Sequence, residues 1–161
     1  GQEVAKRVHA FGATMKFYDK YQTNDIPYLQ PATFEEILTE SDIISLHLPL
    51  NHETRELIGE AELEKMKPSA IVINTSRGPV VDERALYQAL RNRTIAGAGI
   101  DVFEEEPTPP NNPLLTLDNV VVTPHLAAGT VDALREKMRA AFRNMERVSQ
   151  GETPINIVSV E

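Results

Sequence analysis

The 161-residue chain contains no cysteine and no tryptophan, and aromatic residues make up only 6% of it. Without thiols, disulfide bonds, thiolate nucleophiles and cysteine–zinc sites are excluded. No apolar run approaches the roughly 20 residues that a membrane-spanning helix requires. Basic residues are few: 16 Lys and Arg stand against 24 Asp and Glu, a net charge of −8, and none of them cluster. A nucleic-acid partner needs a positive patch, so none is expected. The four histidines have no ligand-like spacing, so no metal is expected either. No signal-peptide pattern stands at the front. The expectation is a soluble, cytoplasmic protein that binds neither nucleic acid nor membrane. What is present is ordinary, with 41% hydrophobic and 25% charged residues, and fits one domain with a real core.

The most informative stretch is Ile71-Val72-Ile73-Asn74-Thr75-Ser76-Arg77-Gly78-Pro79. A β-branched run ends in a polar turn bearing one arginine, and Gly-Pro prevents the strand from continuing. Asp82 then reads as an N-cap opening a helix to about residue 91. The same alternation recurs along the chain. A helix over residues 1–11 ends at Gly12, and a strand at 14–18 ends at Asp19. A polar loop runs through Asn24, Asp25, Pro27 and Pro31. Thr33 and Glu36 form a capping box for a short helix. Strands follow at 42–47, 70–74, 95–100 and 119–123, with a short helix near 60–66. The small residues of 95–100 predict close packing against a helix or a ligand. Residues 104–112 read as an acidic, proline-rich loop. Thr130 caps a long helix to about Gln150, with Gly151 as its stop and an extended tail beyond. Expected strand starts lie 24–28 residues apart, the length of one strand and one crossover helix. The fold class is therefore α/β: a doubly wound parallel sheet.

In such a sheet ligands bind beyond the carboxyl ends of the strands. Asp19, Arg77, Asp101, Glu106 and His125 all fall just past different expected strand ends. An acidic residue about 20 positions after a glycine turn receives the adenosine ribose in dinucleotide folds. Asp19, eighteen residues after Gly1, fits that place; it fits a simple strand-end turn as well. It would also repel a 2′-phosphate, favouring NAD over NADP. Arg77 offers a planar fork suited to a carboxylate, or to a surface ion pair. His125 precedes the small run Ala127-Ala128-Gly129, and an imidazole is the side chain suited to proton exchange near neutral pH, although a lone histidine is often structural. One carboxylate of Glu104-Glu105-Glu106 is placed to hydrogen-bond an imidazole and fix its tautomer; the run also reads as a solvated loop.

Three motifs carry a resemblance: Asn74-Thr75-Ser76-Arg77-Gly78, Gly99-Ile100-Asp101-Val102-Phe103-Glu104-Glu105-Glu106-Pro107 and Thr123-Pro124-His125-Leu126-Ala127-Ala128. Together, and in this order, they resemble the D-isomer-specific 2-hydroxyacid dehydrogenases. That resemblance implies a Rossmann-like NAD-binding domain and hydride transfer between nicotinamide and C2 of a 2-hydroxy or 2-oxo acid. It implies Arg77 as carboxylate clamp, His125 as acid and base, and Glu106 as the partner of His125. It further implies Asp19 on the ribose, Asp101 on the carboxamide, and Gly1 as last glycine of the phosphate turn. Leu48, Pro49, Thr75, Ser76, Arg77, His125, Ala127 and Ala128 would line the cofactor cleft. Members of the family are usually homodimers. They also carry a strand and two more glycines before the position of Gly1, and a separate substrate domain. The expectation is thus a fragment: residues 1–151 as an NAD-binding domain incomplete at its N-terminal strand, and 152–161 as a tail leading back to the absent domain. Such a fragment is not expected to catalyse alone. Corepressors of the C-terminal-binding-protein type resemble the same family, so an NAD-sensing interaction protein is the alternative. The formate dehydrogenase branch, which has glutamine where Glu106 stands, fits less well.

Overall fold

A computed structural model describes residues 1–21 and 26–157; Asn24 and Asp25 of the expected loop lie outside the described residues. The chain divides into two compact units, Gly1–Pro124 and His125–Glu161.

The first unit contains α1 (Gln2–His9), β1 (Met15–Phe17), β2 (Leu29–Pro31), α2 (Phe34–Glu40), β3 (Ile43–Leu46), α3 (Glu60–Lys65), β4 (Ile71–Asn74), α4 (Glu83–Arg91), β5 (Gly97–Ile100) and β6 (Val120–Val122). Every strand pairing is parallel. The single sheet expected from the spacing is two sheets among the described residues. One is β1-β2, and the other has the order β3-β4-β5-β6. β2 falls where a loop was expected. Leu29–Pro31 pairs with β1, and Pro31 sits at its last position, where the missing N–H costs no ladder bond.

Local chemistry sets the helix starts. The Thr33 side chain accepts from Glu36 N–H while the Glu36 carboxylate accepts from Thr33 N–H at 2.7 Å, so the predicted capping box is formed. Asp82 accepts from Ala85 N–H at 3.0 Å and opens α4. Along the four-stranded sheet, alternate side chains point to opposite faces. Ile44, Leu46, Val72, Ala98 and Ile100 are buried together with Leu38 of α2, Leu63 of α3 and Leu86, Ala89 and Leu90 of α4. Those three helices thus cover one face and make the core. On the other face Ile43 is 63% and Val121 72% exposed within this structure.

Close packing in β5 has a different cause from the one expected. A Cβ on Gly99 would lie 2.9 Å from Ile73 Cδ1, and one on Gly97 would lie 2.9 Å from the Asn119 carbonyl oxygen. Within the protein, the glycines make room for a neighbouring strand's side chain and for backbone.

In the second unit, α5 (Val131–Ser149) begins at Thr130, whose Oγ1 accepts from Ala133 N–H at 3.1 Å. Its apolar side, Val131, Leu134, Met138, Phe142, Met145 and Val148, is exposed. The tail returns along the helix. Asn144 exchanges two hydrogen bonds with the backbone of Ile155, and Arg147 bonds Thr153 O and Glu152. No helix of the described residues is long and apolar enough to cross a membrane.

Candidate active site at the carboxyl edge of the sheet

Register gathers the expected residues of the first unit. Leu46, Asn74, Ile100 and Val122 are aligned across β3, β4, β5 and β6, so the next residues all leave the sheet at one edge. Leu48 and Pro49, then Thr75, Ser76 and Arg77, then Asp101 lie immediately past that line. Gly1, at the N-terminus of α1, belongs to the same edge: a Cβ there would rest 3.5 Å from the His47 ring. The orphan N–H groups and positive end of a helix dipole are therefore brought to the strand ends.

The turn carrying Arg77 is built by a residue absent from the expected set. Asn74 is only 1% exposed. Its Oδ1 accepts from Ser76 N–H at 3.0 Å and from Ser76 Oγ at 2.8 Å, and its Nδ2 donates to Arg77 O at 3.0 Å. Arg77 itself is exposed and donates one Nη1 proton to Ser76 O at 2.7 Å. A guanidinium has five donors, so the fork retains capacity for a carboxylate. In sequence Asn74 looks like any polar strand end; only burial distinguishes it. Asn74→Ala is expected to cost about 1–3 kcal/mol, the penalty for buried groups left without partners. A denaturant midpoint unchanged from wild type would refute the role.

Asp101 is 3% exposed. Its N–H donates to Asn74 O at 3.0 Å, and its carboxylate accepts from Thr123 Oγ1. The carboxylate is thereby fixed between the ends of β4 and β6. Glu106 lies in the loop that follows, where its Oε1 accepts from Phe103 N–H at 3.1 Å. Asp19 is exposed at the end of β1, with Tyr21 N–H donating to its Oδ1 at 2.9 Å. The β1 end is tied to the loop after β3, because Lys20 and Tyr21 both bond Glu53.

His47 was not expected at the site, having no small or polar run beside it. It nevertheless stands one residue past Leu46, its Nε2 2.9 Å from Ser45 Oγ. Burial of the ring pushes its pKa below the usual value. Burial thus favours the neutral ring beside the helix N-terminus.

His125, Ala127 and Ala128 belong to the second unit, and all three are exposed. His125 has φ 53°, in the left-handed region that non-glycine residues seldom occupy, where histidine is among the better tolerated.

The donor set fits a dinucleotide. A helix N-terminus, an exposed carboxylate after β1 and a buried carboxylate after β5 offer partners for pyrophosphate, ribose hydroxyls and an amide, respectively.

Residues 1–127 match the family model described as "D-isomer specific 2-hydroxyacid dehydrogenase, NAD binding domain". A glyoxylate reductase of Korarchaeum cryptofilum is 44% identical over 164 residues, covering 100% of this chain and 49% of that protein. The crystal structure of D-lactate dehydrogenase with NAD+ from Lactobacillus jensenii superposes with a TM-score of 0.90 at 35% identity, covering 99% of this chain and 52% of that one. A D-isomer specific 2-hydroxyacid dehydrogenase from Xanthobacter autotrophicus Py2, in complex with NADPH and MES, gives 0.86 at 36% identity, covering 99% and 66%. The chain spans about half the length of the curated relatives it matches first. Parallel strands joined through helices are thus those of the Rossmann-like NAD-binding fold, and the chain belongs to the D-isomer specific 2-hydroxyacid dehydrogenase family, matching its NAD-binding domain.

Proposed function

We propose that this chain is the cofactor half of an NAD-dependent dehydrogenase acting at C2 of a D-2-hydroxy acid, or reducing the corresponding 2-oxo acid. The observation that carries this reading is the Asn74–Arg77 turn, in which a buried asparagine holds an exposed guanidinium just beyond a parallel strand. Residues 1–151 form the NAD-binding domain, and the tail from Glu152 leads toward a substrate domain.

NAD held at this edge would supply the hydride acceptor for oxidation at C2, and its reduced form the hydride donor for reduction. Arg77 holds the substrate carboxylate through its planar fork and draws electron density from the neighbouring carbonyl. His125 gives a proton to the C2 oxygen in reduction and removes it in oxidation. Glu106 accepts from the other imidazole nitrogen and keeps the ring in the useful tautomer; the Phe103 N–H steadies that carboxylate. Asp19 would accept from the ribose hydroxyls and Asp101 from the carboxamide. Gly1 would meet the pyrophosphate, while Leu48, Pro49, Thr75, Ser76, Ala127 and Ala128 would line the cleft. The same reading places the full-length protein in the cytoplasm and makes it a homodimer; sedimentation checks the homodimer.

The test is NADH oxidation by the full-length protein with a panel of 2-oxo acids. Arg77→Lys is expected to lower kcat/KM by roughly 10- to 100-fold, since a point ammonium cannot reproduce a bidentate fork. Wild-type kinetics for that variant would remove the clamp. A full-length protein that binds NADH and reduces none of the panel would overturn the function.

A further inference from the structure

Asp19 stands within a larger cluster at the end of β1. The Lys20 ammonium pairs with one oxygen of Glu53, and the Tyr21 hydroxyl donates to the other. Lys20 Nζ also lies 5.4 Å from the centroid of the Tyr21 ring. Tyr21 N–H donates to Asp19 Oδ1 at 2.9 Å, so the same short segment wraps the Asp19 carboxylate. Glu53 comes from the loop after β3 and is held there. Its N–H donates to Asn51 Oδ1 at 2.9 Å, and that oxygen also accepts from Thr54 N–H at 3.0 Å. Both carboxylate oxygens of one anchored glutamate are thus taken by consecutive residues of the β1 loop.

This arrangement bears on cofactor choice. A 2′-phosphate brings about −1.5 to −2 charge and three acceptor oxygens. Dinucleotide folds accommodate it with a cation close to the ribose position. Lys20 is the cation next to Asp19 in the chain, so an unengaged Lys20 would offset the repulsion that Asp19 exerts. Glu53 removes that offset: Asp19, Lys20 and Glu53 together carry one net negative charge, where Asp19 and Lys20 alone would carry none. Tyr21 adds a hydrogen bond to the charged acceptor and a ring against the ammonium, both of which favour the engaged position. The pair is partly exposed, with Lys20 at 55% and Glu53 at 31%, so its effect is one of charge placement and not of stability.

We propose that Glu53 is a specificity-determining residue, which holds Lys20 away from a ribose 2′-phosphate and so makes NAD, not NADP, the preferred cofactor. The proposal rests on Asp19 as the ribose acceptor.

The experiment measures kcat/KM for NADPH and NADH in the full-length protein. Glu53→Gln keeps the shape and an acceptor for Tyr21 while releasing Lys20. It is expected to raise the NADPH-to-NADH ratio roughly five- to tenfold, the scale of an exposed charge acting on a doubly charged group. Adding Lys20→Gln to Glu53→Gln should return the ratio toward wild type, which a merely structural role for Glu53 would not do. Asp19→Ser tests the underlying reading separately and should raise the ratio by itself. If Asp19→Ser raises it and Glu53→Gln does not, the proposal falls and the ribose assignment stands. A gain in Glu53→Gln that persists in the double variant also overturns the proposal, because Lys20 is then not the responsive group. If neither single variant moves the ratio, the ribose assignment fails and the proposal with it.

Discussion

His125→Ala in the full-length protein is expected to lower turnover by about 10²- to 10⁴-fold, the usual cost of losing a positioned proton-transfer group. The backbone makes this a clean substitution. His125 already sits at φ 53°, and an alanine there keeps the same left-handed geometry. Left-handed residues other than glycine are strained by about 1–2 kcal/mol, and alanine, less tolerated there than histidine, carries slightly more of that cost, a small change beside the expected loss of turnover. The imidazole is exposed, so its removal leaves no cavity in the core. The melting temperature should therefore stay within a few degrees of wild type while turnover collapses. Retention of turnover within a few-fold would rule His125 out as acid and base. A large loss of melting temperature would instead make the residue structural, the other reading open to a lone histidine.

How much of this was legible beforehand follows from the range of each interaction. Helix starts were readable because a cap is a local device: Thr33 with Glu36 and Asp82 with Ala85 are each three residues apart, and each forms as the sequence predicts. Strands β3, β4 and β6 were readable from β-branched runs that stop at proline or a polar turn. The rule that parallel strands share a carboxyl edge then placed Arg77 and Asp101 together, and the register bears that out. β2 was not readable. It is three residues long, contains Gln30 and Pro31, and exists because Met15–Phe17 offers it a partner; nothing in its own composition favours a strand. Asn74, His47 and Glu53 escaped for a related reason. Each acts through burial or through a segment distant in sequence: Glu53 meets Lys20 and Tyr21 across more than thirty positions. The extended tail from Glu152 is legible, but its return along α5 is not, because Asn144 and Arg147 hold it from six to eleven positions away. Short-range chemistry is written in neighbouring letters, whereas a loop-to-loop hydrogen bond has no local signature.

Gly78→Ala is expected to destabilise the protein by about 3 kcal/mol, the upper end of the usual cost of overpacking. A Cβ at Gly78 would stand 1.9 Å from the Phe103 carbonyl oxygen, 2.1 Å from the Phe103 carbonyl carbon and 2.7 Å from Glu104 N. All three are backbone atoms, so no rotamer change can relieve the clash. The opposing segment is also pinned. Glu104 N–H donates to Glu83 Oε2 at 2.9 Å, Asn112 Nδ2 donates to Glu83 Oε1 at 2.6 Å, and the Phe103 side chain is buried. Restricting the unfolded chain repays about 0.4–1 kcal/mol of a glycine-to-alanine change, too little to balance the clash. For a two-state domain of this size, the loss corresponds to a fall in Tm of roughly 6–12 °C. Gly99→Ala is the control, because its Cβ would meet only the Ile73 Cδ1 methyl at 2.9 Å, which can turn aside. That variant should melt well above Gly78→Ala. Equal melting temperatures for the two, or a Gly78→Ala protein within 2 °C of wild type, would show that the loop after β5 yields easily. The consequence for chemistry follows from chain order. Gly78 is the residue after Arg77, and Phe103-Glu104 lies between Asp101 and Glu106. Any shift that admits the methyl group moves the proposed clamp and the proposed histidine partner at once. Activity below the unfolding transition should therefore fall further in Gly78→Ala than in Gly99→Ala, through KM as well as kcat, and the same contact that holds the fold together at this point sets the spacing of the site.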